Sequence, residues 1–69
     1  MIEILAQIEA DSHPKFTAGI VLWDNVVVEA APIVGYMKRQ RWTREKVRAY
    51  VAKQGWRIKV IREENRVKP

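Results

Sequence analysis

Phe16-Thr17-Ala18-Gly19-Ile20-Val21-Leu22-Trp23-Asp24-Asn25-Val26-Val27-Val28-Glu29-Ala30 reads as two β-strands, residues 16 to 23 and 26 to 30, joined by a two-residue turn. β-Branched and aromatic residues fill both runs, and Asp24-Asn25 tolerates the positive φ that a tight hairpin imposes. Such a turn predicts the register: Trp23 opposite Val26, Val21 opposite Val28 and Ile20 opposite Glu29. One face then carries Val21, Trp23, Val26 and Val28, the other Phe16, Ala18, Ile20, Leu22 and Val27. Both faces are largely apolar, whereas a sheet packed on one side alternates apolar with polar residues. The hairpin therefore either lies centrally with both faces covered or keeps an apolar patch for a partner, and the sequence leaves both open.

Before the hairpin, Ile2, Ile4, Ala6, Ile8 and Ala10 alternate with Glu3, Gln7 and Glu9, the pattern of a half-buried strand. Asp11-Ser12-His13-Pro14 supplies turn chemistry, with Pro14 biasing His13 toward an extended conformation. After the hairpin, Ala31-Pro32 ends the strand and suits a first helical turn. The spacing of Ile33, Tyr36 and Met37 predicts a short helix over residues 32 to 39, weakened by Gly35. A better-marked helix runs from 44 to 54: Thr43 caps it, Glu45 sits in its first turn, Gly55 ends it, and Val47, Tyr50 and Val51 form its apolar stripe. Trp56, Ile58 and Val60 then alternate with Arg57, Lys59 and Ile61 as a final strand, and Glu63 to Pro69 reads as a frayed polar tail. The order is βββααβ: an α+β fold in which two helices cover one face of a small, mostly antiparallel sheet, within a single domain spanning residues 1–69.

A chain of 69 residues supports one modest core and buries roughly 60% of its surface, which disfavours an elaborate enclosed active site. With 48% hydrophobic and 30% charged residues it has the composition of a folded protein. The absence of cysteine excludes disulfides, thiol nucleophiles and cysteine-held metals, and fits a reducing, cytoplasmic setting. Met-Ile-Glu-Ile-Leu at the amino terminus has no basic region or export-length apolar run, so neither secretion nor membrane association is expected. Charge is uneven: residues 1 to 37 hold one base against five acids, a net −4, and residues 38 to 69 hold twelve bases against three acids, a net +9. Such polarity steers anionic partners toward the basic part, although scattered bases also serve solubility alone.

Catalytic chemistry is poorly represented. His13 is the only histidine, and adjacent Asp11 and Ser12 are more simply turn residues than members of a triad that must assemble in space. There is no metal-ligand spacing, and Gly19, Gly35 and Gly55 are isolated, so no phosphate-cradling loop exists. The expectation is a protein that is not an enzyme and needs no cofactor. Anion recognition has more behind it: Lys38, Arg39 and Arg41 precede Trp42, then Arg44, Lys46, Arg48 and Lys53 follow on the helix and Arg57 and Lys59 on the last strand. These bases are candidates for contact with nucleic acid or an acidic partner, with Trp42 either stacking on an unpaired base or, favoured by the area an indole buries, packing with Trp56 into the core around the second helix. Two helices joined by residues 40 to 43 also sketch a helix-turn-helix with residues 44 to 54 as reader, but without the usual turn glycine or a third helix. Trp23 and Val26 at the hairpin tip are the candidate protein-partner anchor. The plainer alternatives are a tip that folds back over the sheet or that forms a homodimer.

Phe16-Thr17-Ala18-Gly19-Ile20-Val21, Val27-Val28-Glu29-Ala30-Ala31-Pro32-Ile33-Val34, Trp42, Val47-Arg48, Tyr50 and Gly55-Trp56 together resemble short proteins of bacteriophages and prophages. The resemblance covers about residues 16 to 57, and Glu29-Ala30-Ala31-Pro32-Ile33 is its most distinctive piece. No catalytic residue carries over from it. It implies a phage protein working in the host cytoplasm, in the manner of host-takeover or counter-defence factors such as anti-CRISPR proteins, which occupy a surface of a host machine. The basic character departs from the acidic, DNA-mimicking type, so the implied partner is a host protein or nucleoprotein complex, with direct DNA or RNA binding as the alternative.

Overall fold

The structure is a computed structural model describing residues 1–11 and 15–66; the expected turn at Ser12, His13 and Pro14 and the last three residues lie outside the described residues. Strand β1, Ile2–Ala10, antiparallel-pairs with β2, Phe16–Trp23, which pairs with β3, Val26–Ala30. The turn forms as its residues require, with Asp24 at φ 48° and Asn25 at φ 67°. A 3-10 turn, Pro32–Val34, leads into helix α1, Gly35–Arg39, so the helix expected over 32 to 39 occurs in two parts. Helix α2, Arg44–Gln54, precedes β4, Arg57–Asn65, which returns antiparallel to the far side of β1. The sheet order is β3-β2-β1-β4, and the chain has the expected α+β arrangement.

One face of the sheet is buried. Ile4, Ala6 and Ile8 from β1, Ala18, Ile20 and Leu22 from β2 and Val27 from β3 form a single cluster with Val34, Met37, Trp42, Val47 and Val51 from the helical segment. The period-two pattern of the strands and the helical stripe meet there, and burial of these side chains at about 25 cal/mol per Å² is the main favourable term. The opposite face carries Leu5, Gln7 and Val21 half-buried and Trp23 45% exposed. Of the two dispositions open to the hairpin, it adopts the one with a single covered face.

Two expectations need correction. A β-bulge between Val21 and Leu22 shifts the hairpin register, so Val21 faces Glu29 and Ile20 faces Ala30, while Trp23 still faces Val26. The extra residue, Val28, is set by how β3 pairs along its length and not by the turn, so turn chemistry does not encode it. Residues 63 to 65 are not a tail: Glu63, Glu64 and Asn65 pair with Ile4, Glu3 and Ile2, and the backbone N–H of Arg66 donates to Met1 O at 2.6 Å.

Both helices end in the same way. Past α1, Trp42 N–H donates to Met37 O at 2.9 Å and Arg41 N–H to Lys38 O at 3.1 Å; past α2, Trp56 N–H donates to Val51 O at 2.9 Å and Gly55 N–H to Ala52 O at 3.1 Å. These are paired Schellman closures, with Arg41 (φ 51°) and Gly55 (φ 76°) as the left-handed residues. The next residue in each case is a tryptophan folding back on its helix, which is how Trp42 and Trp56 come to bracket α2. An edge-to-face series runs Phe16, Trp56, Tyr50, Trp42, Tyr36, with centroid separations of 4.9, 5.6, 5.1 and 5.4 Å.

Candidate binding surfaces

The nine candidate cations do not converge on one surface. Arg57 and Lys59 pair in register with Glu9 and Gln7, the β1 residues that alternate with buried Ile8 and Ala10, so both face away from the helices. Arg57 is occupied there, its Nη2 lying 2.9 Å from Asp11 Oδ1 and 3.4 Å from Glu9 Oε2. Lys38, Arg39, Arg41, Arg44, Lys46, Arg48 and Lys53 belong to the helical segment on the other side. The expectation of a shared surface for α2 and β4 fails because strand alternation sends the bases of β4 to the uncovered face.

The helical segment is itself divided by contacts. Lys38, Arg39 and Arg41 line a shallow depression along the outer side of β3 beside Val26, Val27 and Val28, and Lys38 Nζ is 3.0 Å from Glu29 Oε1. On α2, Thr43 accepts a hydrogen bond from Lys46 N–H at 3.2 Å, the expected cap. Arg44 and Arg48, one turn apart, rim a cleft of about 210 Å³ floored by Ile4, Leu22, Ile58 and Val60, and Arg44 Nη1 reaches Glu63 Oε1 at 3.8 Å. Lys46 lies on the other flank with Nζ 4.6 Å from the Trp42 ring centroid, a cation–π contact. Among the described residues Arg39, Arg41, Lys46, Arg48 and Lys53 make no ion pair with a carboxylate.

Trp42 packs in the core at 8% exposed, its Nε1–H donating to Gln40 Oε1 at 3.2 Å, and so does not present a stacking face. Tyr36, in the same aromatic series, has its phenol pushed up from 10.0 to about 12, first by burial and then by its hydrogen bond with and the charge of Tyr50. Trp23 is the exposed aromatic. Its Nε1–H donates to Glu3 Oε2 at 2.9 Å, and Glu3 Oε1 in turn lies 2.9 Å from Arg66 Nη2. The indole is held in one orientation by these bonds. Val26, opposite it, is half-buried and bridges to Thr43, while Arg44 N–H donates to Asn25 O at 2.8 Å. The tip therefore abuts the start of α2, but the Trp23 ring lies on the face away from the helices.

Sequence reading missed Arg66 as a support for Trp23. The available signal was that no glycine or proline interrupts residues 56 to 68, so nothing obliges the last strand to stop early. Comparison of the chain with family models, curated proteins and solved structures finds no match. No helix among the described residues is long and apolar enough to cross a membrane.

Proposed function

We propose that this chain is a non-enzymatic binding protein of bacteriophage type that inhibits or redirects a host nucleoprotein complex, docking through its helical layer onto an anionic surface. The carrying observation is how charge is partitioned between layers. Residues 32 to 55 hold seven bases and one acid, a net +6, while all other residues together hold six bases and seven acids, a net −1. A predominantly basic layer over a near-neutral remainder focuses the field on one side, raising encounter rates with anionic surfaces and fixing orientation. Trp23, exposed at the hairpin tip and bonded to Glu3, supplies an ordered aromatic on the opposite face of the sheet for a second contact.

Direct DNA or RNA binding through the same layer is the second reading, supported by the charge alone. Burial of Trp42 removes base stacking from it, and five-residue α1 gives little support to a helix-turn-helix. The deciding experiment is capture from bacterial lysate before and after nuclease treatment, with Trp23→Ala and Arg39→Glu/Arg41→Glu/Arg48→Glu variants in parallel. A host protein should remain after nuclease with the unsubstituted chain, fall sharply with the charge reversals and weaken with Trp23→Ala. Loss of all capture on nuclease treatment assigns the layer to nucleic acid instead.

A further inference from the structure

Beneath the first turns of α2 the core is incompletely filled. The cleft of about 210 Å³ lies between this end of the helix and strands β1, β2 and β4. Ile4, Ile20 and Leu22, none more than 2% exposed, close its floor. Ile58 and Val60, which pair with Ile8 and Ala6 on the covered face of the sheet, form its outer wall. From α2 it is lined by Val47 and by the flanking Arg44 and Arg48. No aromatic side chain among the described residues lines it, since Trp42, Tyr50 and Trp56 stack on one another instead. Val47 is too short to fill the space, so the surrounding side chains lack the dispersion contacts that a close-packed core supplies.

The mouth differs from the floor. Val60 is 46% exposed there, and the two arginines, four residues apart on α2, stand side by side over the opening. Arg48 makes no ion pair with a carboxylate among the described residues. Arg44 has Glu63, at 3.8 Å and with both side chains open to water. An apolar floor beneath two weakly engaged guanidiniums fits a molecule with an apolar body and an anionic head, and the guanidinium fork matches a carboxylate. Because an apolar cavity of about 150 Å³ holds one benzene ring, the cleft has room for a body of roughly eight carbons.

We propose that this cleft binds a small amphiphilic carboxylate, its aliphatic body lying over Leu22, Val47 and Val60 and its carboxylate held between Arg44 and Arg48. Glu63 then competes with the ligand for Arg44. The site stands on the geometry of the cleft and not on the identity of any docking target.

The test is titration of the isotope-labelled chain with octanoate, followed by NMR shifts and by calorimetry, with acetate as the head alone and octan-1-ol as the body alone. Octanoate should bind at a single site, with shifts concentrated on Leu22, Val47, Ile58 and Val60. Acetate and octan-1-ol should each bind at least roughly tenfold more weakly. Arg48→Gln, at an exposed position, should weaken octanoate by a similar factor and leave octan-1-ol unchanged. Glu63→Gln should tighten octanoate by freeing Arg44, and Val60→Trp should block it by filling the mouth, each with the far-ultraviolet circular dichroism unchanged. Absence of octanoate binding in the millimolar range, acetate or octan-1-ol binding as tightly as octanoate, indifference to Arg48→Gln or Val60→Trp, or weakening by Glu63→Gln overturns the inference. So do shifts at the same side chains when the chain alone is concentrated, which give the cleft to a second copy. Loss of the captured host protein with Val60→Trp, where octanoate fails to bind, gives it to the docking partner instead.

Discussion

Arg41 and Gly55 do the same work at the ends of successive helices, yet only one of them is glycine. A side chain in the left-handed region costs roughly 1–2 kcal/mol, and Arg41 sustains it at φ 51° because two closing hydrogen bonds and the packing of Trp42 behind it fix the turn. Arg41→Gly should accordingly stabilise the fold by about 1 kcal/mol, and Gly55→Ala should destabilise it by about as much; urea unfolding of both variants measures the pair. The same Arg41→Gly variant should elute from immobilised heparin at lower salt than the unsubstituted chain, the outcome the proposed docking through the helical layer requires. Tyr36 gives a pH prediction. Its raised pKa means that the folded state favours the neutral phenol, so this contribution to stability is complete below the unfolded value of 10.0 and is lost as pH rises toward about 12. Tyr36→Phe should flatten the alkaline limb of the stability profile between those values in thermal melts.

Among elements, the aromatic series along α2 carries packing that the hairpin tip does not. Trp42→Ala should cost about 3–5 kcal/mol by leaving a cavity between α2 and β3, whereas Trp23→Ala, losing an exposed ring and one hydrogen bond, should cost about 1 kcal/mol; paired denaturation curves compare them directly. The limits of β1, β2, β3 and α2 follow from their residues because each is bounded by strong local chemistry: Asp24-Asn25 at the hairpin, Pro32 after β3, Thr43 and Gly55 around α2. What lay outside that reading was set by pairing. The bulge at Val21 and Leu22 slides β3 by one residue without any turn residue to mark it. The end of β4, Arg62 to Asn65, is polar on both faces and meets α2 only through the Arg44 side chain at Glu63, so no apolar period marks it and Glu63-Glu64 reads as a solvated tail.

In the whole molecule, the acidic-to-basic division along the chain turns into a division between layers. Residues 57 to 66 carry bases back to the acids on and just past β1, where Arg57 meets Glu9 and Asp11 and Arg66 meets Glu3. Exposed pairs of this kind add under about 1 kcal/mol each, but they neutralise the sheet and leave the net +6 on the helical segment. The basic residues were therefore legible as a set, and their separation into two faces was not, since it depends on which side of β4 each one leaves. The most direct test is the salt needed to elute two charge-matched variants from immobilised heparin, a polyanion probe: Arg48→Glu/Lys53→Glu in the helical layer and Lys59→Glu/Arg62→Glu on the face of β4 turned away from the helices. Both lower the net charge equally, so the account predicts a large drop in eluting salt for the first and a small one for the second; equal drops would contradict it.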